Sequence, residues 1–249
     1  MRTPLSVLYL TKNEAHNLKD SLLSLDGLAD DVVVVDSGST DQTVAIAKTL
    51  GCRVFERPLD NWGEQRNWGI DQCKHPWVLV LDADERLGEV LLQSLREWKA
   101  QDHGDDEVFA VKRRNYFRGQ AMRFSGLQSD VVNRLFHRSK RYVELAVHEK
   151  LDAPIGTLLK GELDHYTYKN ERAWEDKMHL YARRSAVDHL PKTPKITLWH
   201  TVVKPAFRFF KHYVLRGGFL DGAAGWHYSR WMARGVSLRY SYMKLIKQP

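Results

Sequence analysis

Along the first hundred residues the apolar positions alternate between two periods. Residues 5–10 form a short apolar run that predicts a strand, and Leu18, Leu22 and Leu25 then recur at helical spacing on one face. The β-branched run at residues 32–35 predicts a strand buried on both faces, as in a parallel sheet. Ser39-Thr40-Asp41-Gln42 has the form of a capping box and predicts a helix start just after it. Val54 and Phe55 predict a third strand, residues 62–73 a helix, and residues 77–81 a fourth strand; Leu91, Leu95 and Trp98 then mark one face of another helix. Such alternation predicts right-handed βαβ units in an α/β fold with a doubly wound, mostly parallel sheet.

The pattern changes after Asp106. Residues 108–116, 131–137 and 163–168 read as strands with no helical pattern between them, which predicts a mixed or antiparallel extension of the sheet. A helix returns at 173–187, with Trp174, Met178 and Tyr181 spaced for core packing. Pro191 and Pro194 then punctuate the chain and predict a boundary between a catalytic domain at 1–190 and a helical extension at 191–249.

Composition adds scale and charge adds asymmetry. The 249 residues are 43% hydrophobic and 28% charged, enough for a packed core and not the make-up of a disordered chain. The net charge is +7, yet residues 191–249 hold eleven Lys/Arg and one acid, Asp221, for +10, so the first 190 residues carry −3. The basic character belongs to the extension. Cys52 and Cys73 fit neither a disulfide framework nor a metal spacing and read as buried apolar residues. The N-terminal apolar run is too short for a signal-peptide core, and no window approaches the roughly 18–20 apolar residues of a spanning helix. These features predict a cytoplasmic protein that touches a membrane without crossing it.

In an open α/β sheet, ligands bind beyond the carboxyl ends of the strands. Asp36 closes the strand at 32–35, and Asp82-Ala83-Asp84 closes the strand at 77–81. Two carboxylates at i and i+2 after a buried strand can approach one divalent ion from the same side, and oxygen ligands suit Mg²⁺ or Mn²⁺. Asp41 reads as a helix cap.

These residues carry a resemblance. Thr11-Lys12-Asn13-Glu14, the run Val-Val-Val-Asp-Ser-Gly-Ser-Thr-Asp at 33–41, Gln65-Arg66-Asn67, and Leu-Asp-Ala-Asp-Glu at 81–85 together resemble inverting glycosyltransferase family 2. The resemblance implies a GT-A fold and a nucleotide-sugar donor. It implies that Thr11, Asn13, Glu14 and Asp36 hold the base and ribose of a UDP-sugar, that Arg66 lines the nucleotide pocket, that Asp82 faces ribose and metal, and that Asp84 binds the metal at the diphosphate. Where many relatives have a second acid, this chain has Ser37. The family context points to Glu149 as the base that deprotonates the acceptor, with neighbouring His148 as the runner-up. His165 either joins the metal, touches a phosphate, or is an ordinary strand histidine. Arg134 and His137 read as an exposed basic strand face.

In the extension, Trp199, Val202, Val203, Ala206, Phe210, Tyr213 and Val214 fall on one helical face, and Lys204, Arg208, Lys211, His212 and Arg216 on another. Tyr228, Trp231, Met232, Val236, Tyr242 and Leu245 repeat the arrangement opposite Arg230, Arg234 and Lys244. That composition predicts amphipathic helices at an anionic membrane interface, or helices packed by their apolar faces with solvated charges. Residues 216–222, Arg-Gly-Gly-Phe-Leu-Asp-Gly, resemble a motif of the branch that builds the inner core of bacterial lipopolysaccharide, as does the His148-Glu149 pair. The turn either approaches an acceptor sugar or is an interhelical turn salt-bridged by Asp221. The Q-x-x-R-W signature of processive synthases is absent.

The expected function is therefore metal-dependent, inverting, non-processive transfer of a hexose, with glucose favoured, from a UDP-sugar to a lipid-linked saccharide at the inner face of the cytoplasmic membrane. The lipopolysaccharide core heptose is the leading acceptor, with a polyprenyl-phosphate carrier or another surface glycan as the alternative. A nucleic-acid-binding protein is the reading of a different class; it leaves Asp36, Asp82 and Asp84 without a role, and the expectation is no nucleic-acid partner.

Overall fold

The computed structural model describes residues 2–59, 61–143, 150–166 and 171–247. Contacts divide the chain into two units: Met1–Arg113 with Asp130–His165, and Arg114–Ser129 with Tyr166–Pro249.

In the first unit β1 (Leu5–Thr11), α1 (Ala15–Leu23), β2 (Asp31–Asp36), α2 (Thr43–Thr49), β3 (Arg53–Glu56), α3 (Trp62–Gln72) and β4 (Trp77–Asp82) follow in the expected alternation. Then come β5 (Glu85–Leu87), α4 (Glu89–Lys99), β6 (Val108–Phe117), whose last residues enter the second unit, and β7 (Gln120–Ala121) there. Strands β8 (Val131–His137), β9 (Tyr142–Val143), β10 (Lys150–Leu151) and β11 (Thr157–His165) complete the first unit. The main sheet has the order β3-β2-β1-β4-β8-β6-β11-β5. β1 to β4 are mutually parallel, β8 runs antiparallel to β4 and β6, and β5 runs antiparallel to β11. The mostly parallel sheet with an antiparallel extension is the expected fold.

The central strand shows why both faces are covered. Leu5, Val7 and Tyr9 of β1 join one apolar cluster with Leu18 and Leu22 of α1 and Leu91 and Leu95 of α4. Leu8 and Leu10 enter the other cluster with Ile70 of α3. Alternate side chains thus serve opposite layers, and each fully buried Leu or Val contributes about 1.5–3 kcal/mol. Burial pushes the Cys52 thiol up to about 11 and Cys73 to about 12, as expected of cysteines used for packing.

Two strands differ from expectation. β11 begins at Thr157, six residues before the expected start at Leu163, and pairs with β6 and β5. Three-residue β5 gives no periodicity to read, yet its register sets Glu85 opposite His165. Gly161 has φ +94°, and a Cβ there would lie 2.3 Å from the Leu91 amide, so this close approach of β11 to α4 requires glycine.

The second unit holds α5 (Glu171–His189), α6 (Lys204–Phe210) and α7 (Gly222–Lys247). Wider π-helical turns at Trp199–Val203 and Lys211–Leu215 flank α6, and a 3₁₀ turn, Gly218–Asp221, leads into α7. Trp174 and Met178 of α5 are buried, with Trp174 stacked on Trp231 of α7 at 4.0 Å; Tyr181, expected in that core, is exposed because it faces away from α7. Both α5 and α6 pack on α7, within the second unit.

The glycine-rich turn has a packing explanation. A Cβ on Gly225 would sit 1.8 Å from the Gly218 carbonyl oxygen, so the 3₁₀ turn rests directly on the first turn of α7. Asp221 is buried and makes no salt bridge among the described residues. Its carboxylate instead accepts the Arg123 and Phe124 amides at 2.9 and 3.1 Å and the Ser125 hydroxyl at 3.1 Å. Asp221 fastens the 122–126 loop and not a salt bridge, so of the two readings of the turn the salt-bridged one does not hold.

Gly225→Ala should therefore cost at least about 1–3 kcal/mol through overpacking. Gly235→Ala, in the same helix with no atom closer than Met178 Cγ at 4.0 Å, should gain about 0.5–1 kcal/mol from helix propensity. Urea unfolding of the two variants gives the signs directly; equal signs would contradict the packing.

Candidate active site

The loops after β1 and β2 are stitched together at the carboxyl ends of their strands. Thr11 and Asp36 are partners in the strand register, and the Thr11 hydroxyl donates to Asp36 Oδ2 at 2.9 Å. Asp36 Oδ1 accepts the amides of Gly38 and Ser39 at 3.1 and 2.7 Å, folding the 37–39 loop around the carboxylate. Asn13 takes φ +57°, a conformation asparagine tolerates. There its amide donates to Ser39 Oγ at 2.7 Å and its Oδ1 accepts the Thr40 amide at 2.8 Å. The Glu14 amide donates to Thr43 Oγ1 at 2.8 Å, and the Glu14 carboxylate accepts Asn17 Nδ2 at 3.0 Å. Asp41 accepts the Thr43 amide at 3.0 Å just ahead of α2, whose N-cap position is Gln42 and not the expected Asp41. The expected capping role of Ser39 is replaced by its bonds to Asp36 and Asn13.

Beside this loop pair lies the end of β4, where Asp82 is the register partner of Leu10. Asp82 Oδ1 accepts from Arg66 at 3.1 Å and Oδ2 from Arg134 at 2.7 Å. Arg134 also donates to Glu85 Oε1, and Glu85 Oε2 accepts the Asp82 amide at 3.0 Å. Glu85 is wholly buried. Burial works against the Asp82 charge, but the Arg134 and Arg66 guanidiniums outweigh it and hold its carboxyl far below the usual range. Burial pushes Glu85 upward and Arg134 offsets this only partly. For Arg134 burial opposes the charge, and the two carboxylates outweigh it and raise its pKa well above the ordinary value. Arg66 also lies over the Tyr142 ring at 5.3 Å.

The neighbours in the Gln-Arg-Asn motif do different work. Gln65 Nε2 donates to Ser37 Oγ at 3.2 Å, so Ser37 receives an amide where an acid would receive a cation. Asn67 brackets the Tyr142 backbone, donating to its carbonyl at 2.9 Å and accepting its amide at 2.8 Å. That exchange holds β9 and its tyrosine against α3. Arg66, Asp82, Arg113, Asn133, Arg134, Tyr142 and Lys150 line a cavity of about 620 Å³ together with apolar residues of the 151–155 segment.

Asp84 stands apart from this ion-pair cluster. Its Oδ2 lies 3.6 Å from His165 Nε2, a proximity created by the β5–β11 pairing. Burial opposes a charge on His165, but the hydrogen bond and charge of Asp84 prevail and raise its pKa. Among the described residues no group of three or more His, Cys, Asp and Glu converges as a ready-made metal cage. A carboxylate and an imidazole side by side do fit a Mg²⁺ or Mn²⁺ ion that takes its remaining ligands from phosphate and water.

Thr11, Asn13, Glu14, Asp36, Arg66, Asp82, Asp84 and His165 thus stand at or beside the same strand ends. Glu149 and His148 lie outside the described residues. Arg134 does not sit on an exposed strand face: it is buried between two carboxylates because β8 runs alongside β4. His137 pairs with Trp77 at the opposite end of β4, contacts Ser139 at 2.9 Å and faces Asp105 at 3.7 Å. Sequence reasoning missed Glu85, Arg113 and Tyr142; the only signal was Glu85 itself, a third acid in a run that closes a buried strand.

Clustered carboxylates and guanidiniums thus line a cavity at the carboxyl end of a doubly wound sheet, where ligands bind in this architecture. The glycosyl transferase family 2 model matches residues 6–187. The chain belongs to that family, and it is a transferase of the GT-A fold. An uncharacterized glycosyltransferase of Rickettsia typhi is 28% identical over 234 residues, covering 89% of this chain and 80% of the relative. The lipopolysaccharide core biosynthesis glycosyltransferase LpsC of Rhizobium meliloti is 26% identical, over 96% of this chain and 94% of its own length. Among solved structures, S. aureus TarS 1–349 in complex with UDP-GlcNAc aligns with 99% of this chain and 92% of that one, at 16% identity and a TM-score of 0.49.

Removing Arg134 strands a buried Glu85. Arg134→Met should cost about 3–5 kcal/mol in urea unfolding, and adding Glu85→Met should recover most of that loss, because apolar replacement of a buried pair is close to neutral. A double variant no more stable than the single one would show that the charge cluster is not what Arg134 supports.

Proposed function

We propose that the enzyme moves a hexose, with glucose favoured, from a UDP-sugar to a lipid-linked saccharide, with inversion and one transfer per acceptor. The observation that carries this reading is that the strand register brings the Asp36 loop, the Asp84–His165 pair and the Arg66–Asp82–Arg134 cluster, which lines a cavity of about 620 Å³, to neighbouring strand ends. The lipopolysaccharide core as acceptor is supported by the name of the Rhizobium relative and by the likeness of residues 216–222 and of His148-Glu149 to that branch.

In this reading the loops built by Thr11, Asn13, Glu14 and Asp36 cradle the uridine. Arg66 lines the nucleotide pocket, held in place by Asp82 and Tyr142. Both Asp82 oxygens already accept from guanidiniums, which leaves Asp84 and His165 as the residues that hold the divalent ion. When bound, Mg²⁺ or Mn²⁺ would supply positive charge to offset the negative charge that develops on the departing UDP. Glu149 takes the acceptor hydroxyl proton as that oxygen bonds to the anomeric carbon and the bond to UDP breaks, with His148 the alternative base. Acceptor and membrane are linked: no helix among the described residues is long and apolar enough to cross a membrane. The +10 extension, with apolar side chains exposed, suits reversible attachment to the anionic inner face of the cytoplasmic membrane.

Metal-dependent hydrolysis across a panel of UDP-sugars tests the donor class. Asp84→Ala should lower the rate at least about a hundredfold, in the range seen when one stabilising group is lost; full activity in this variant, or no turnover of any UDP-sugar by the native enzyme, would overturn the reading. Glu149→Gln should abolish transfer to acceptor while UDP binding, followed by calorimetry, is unchanged. Near-normal transfer in Glu149→Gln would move the base to another residue.

A further inference from the structure

The segment from Leu198 to Leu220 presents its sides in the reverse of the order usual for a surface helix. Leu198, Trp199, Val202, Phe207, Phe210 and Leu215 are exposed, Leu198 by 78% and Leu215 by 63%. Its basic side turns toward α7 and the end of α5. Lys204 Nζ donates to Tyr240 Oη at 3.0 Å, and Arg239 donates to His189 Nε2 at 3.2 Å. Lys204, Arg208, Lys211 and Arg239, with Phe207 and Tyr240, line a cavity of about 270 Å³ that has no acidic lining residue. None of the four cations is ion-paired with a carboxylate among the described residues, and Arg239 Nε is buried there without a hydrogen-bond partner. Burial, with the nearby Arg208 charge, pulls the Arg239 guanidinium below its ordinary value, a cost that a bound anion would relieve.

We propose that this cavity receives the phosphate of an acidic lipid headgroup while the exposed apolar row enters the acyl boundary. A free anion would account for the four cations but not for the apolar row; an apolar protein surface would account for the row but not for the cations. A lipid with a phosphate at its polar end satisfies both, and Phe207 belongs to the cavity rim and the row at once. The inference rests on the membrane attachment proposed above and adds to it a defined site within the helical unit.

The test is co-sedimentation of the whole chain with phosphatidylcholine vesicles, with and without phosphatidylglycerol, each variant first checked for an unchanged melting temperature. The native chain should pellet with the phosphatidylglycerol vesicles. Arg208→Gln with Lys211→Gln should weaken that binding about thirty-fold, and Lys211→Gln alone, at a half-exposed position that folding tolerates, about five-fold. Arg230→Gln with Lys244→Gln, exposed cations of α7 outside the cavity, should change it less than about three-fold on the same scale. Equal losses from the two pairs, or equal binding to phosphatidylcholine alone, would overturn the cavity while leaving membrane attachment in place. Failure to bind either vesicle would overturn attachment as well. If inorganic phosphate then raises the melting temperature of the native chain but not of the Arg208/Lys211 variant, the cavity is a site for free anions and the lipid assignment is wrong.

Discussion

Glu85 has no access to water, and a carboxylate in that position must be neutralised or left protonated. Arg134 lies against it and reaches Asp82 with the same guanidinium, while Arg66 meets Asp82 from the other side. This chain of alternating charges ties β4, β5, β8 and α3 into one corner. It also places the cavity: Asp82 and the guanidiniums form its polar wall, and the Tyr142 ring, clamped by Asn67, lies under Arg66. Much of the cluster's cationic charge is already answered internally by Asp82 and Glu85.

The loops after β1 and β2 follow a different logic. Asp36 spends its oxygens on Thr11, Ser39 and backbone amides, giving the loop a fixed shape without a counter-charge. The two halves of the site are therefore held differently, by carboxylates accepting amides and hydroxyls at β1 and β2 and by carboxylates paired with guanidiniums at β4.

The helical unit uses the buried acid Asp221 as a clasp for a loop, and Lys204, Arg208, Lys211 and Arg239 line a cavity without an acidic lining residue. The aromatic and aliphatic side chains that a packed helix would hide are outside on the Leu198–Leu220 segment, and the cations are turned in.

Much of the sheet was legible because buried parallel strands are short apolar runs and the helices between them carry one apolar face. The placement of Asp36 and Asp82 at strand ends followed from the same pattern. Arg134 was not legible: in a strand of mixed polarity nothing distinguishes an exposed arginine from one facing a buried carboxylate until β8 is seen beside β4. The short β5 could not be read either, and it brings His165, eighty residues further on, opposite Glu85. Sequence by itself determined the alternation of strands and helices, the family motifs and the concentration of charge in the extension, since these depend on local period and residue type. Only the tertiary structure decided which carboxylates share a cation, that Asp221 holds a loop and not a salt bridge, and which way the amphipathic segment faces. Those outcomes depend on which distant backbone arrives alongside, and burial then makes each unpaired charge too costly to leave alone.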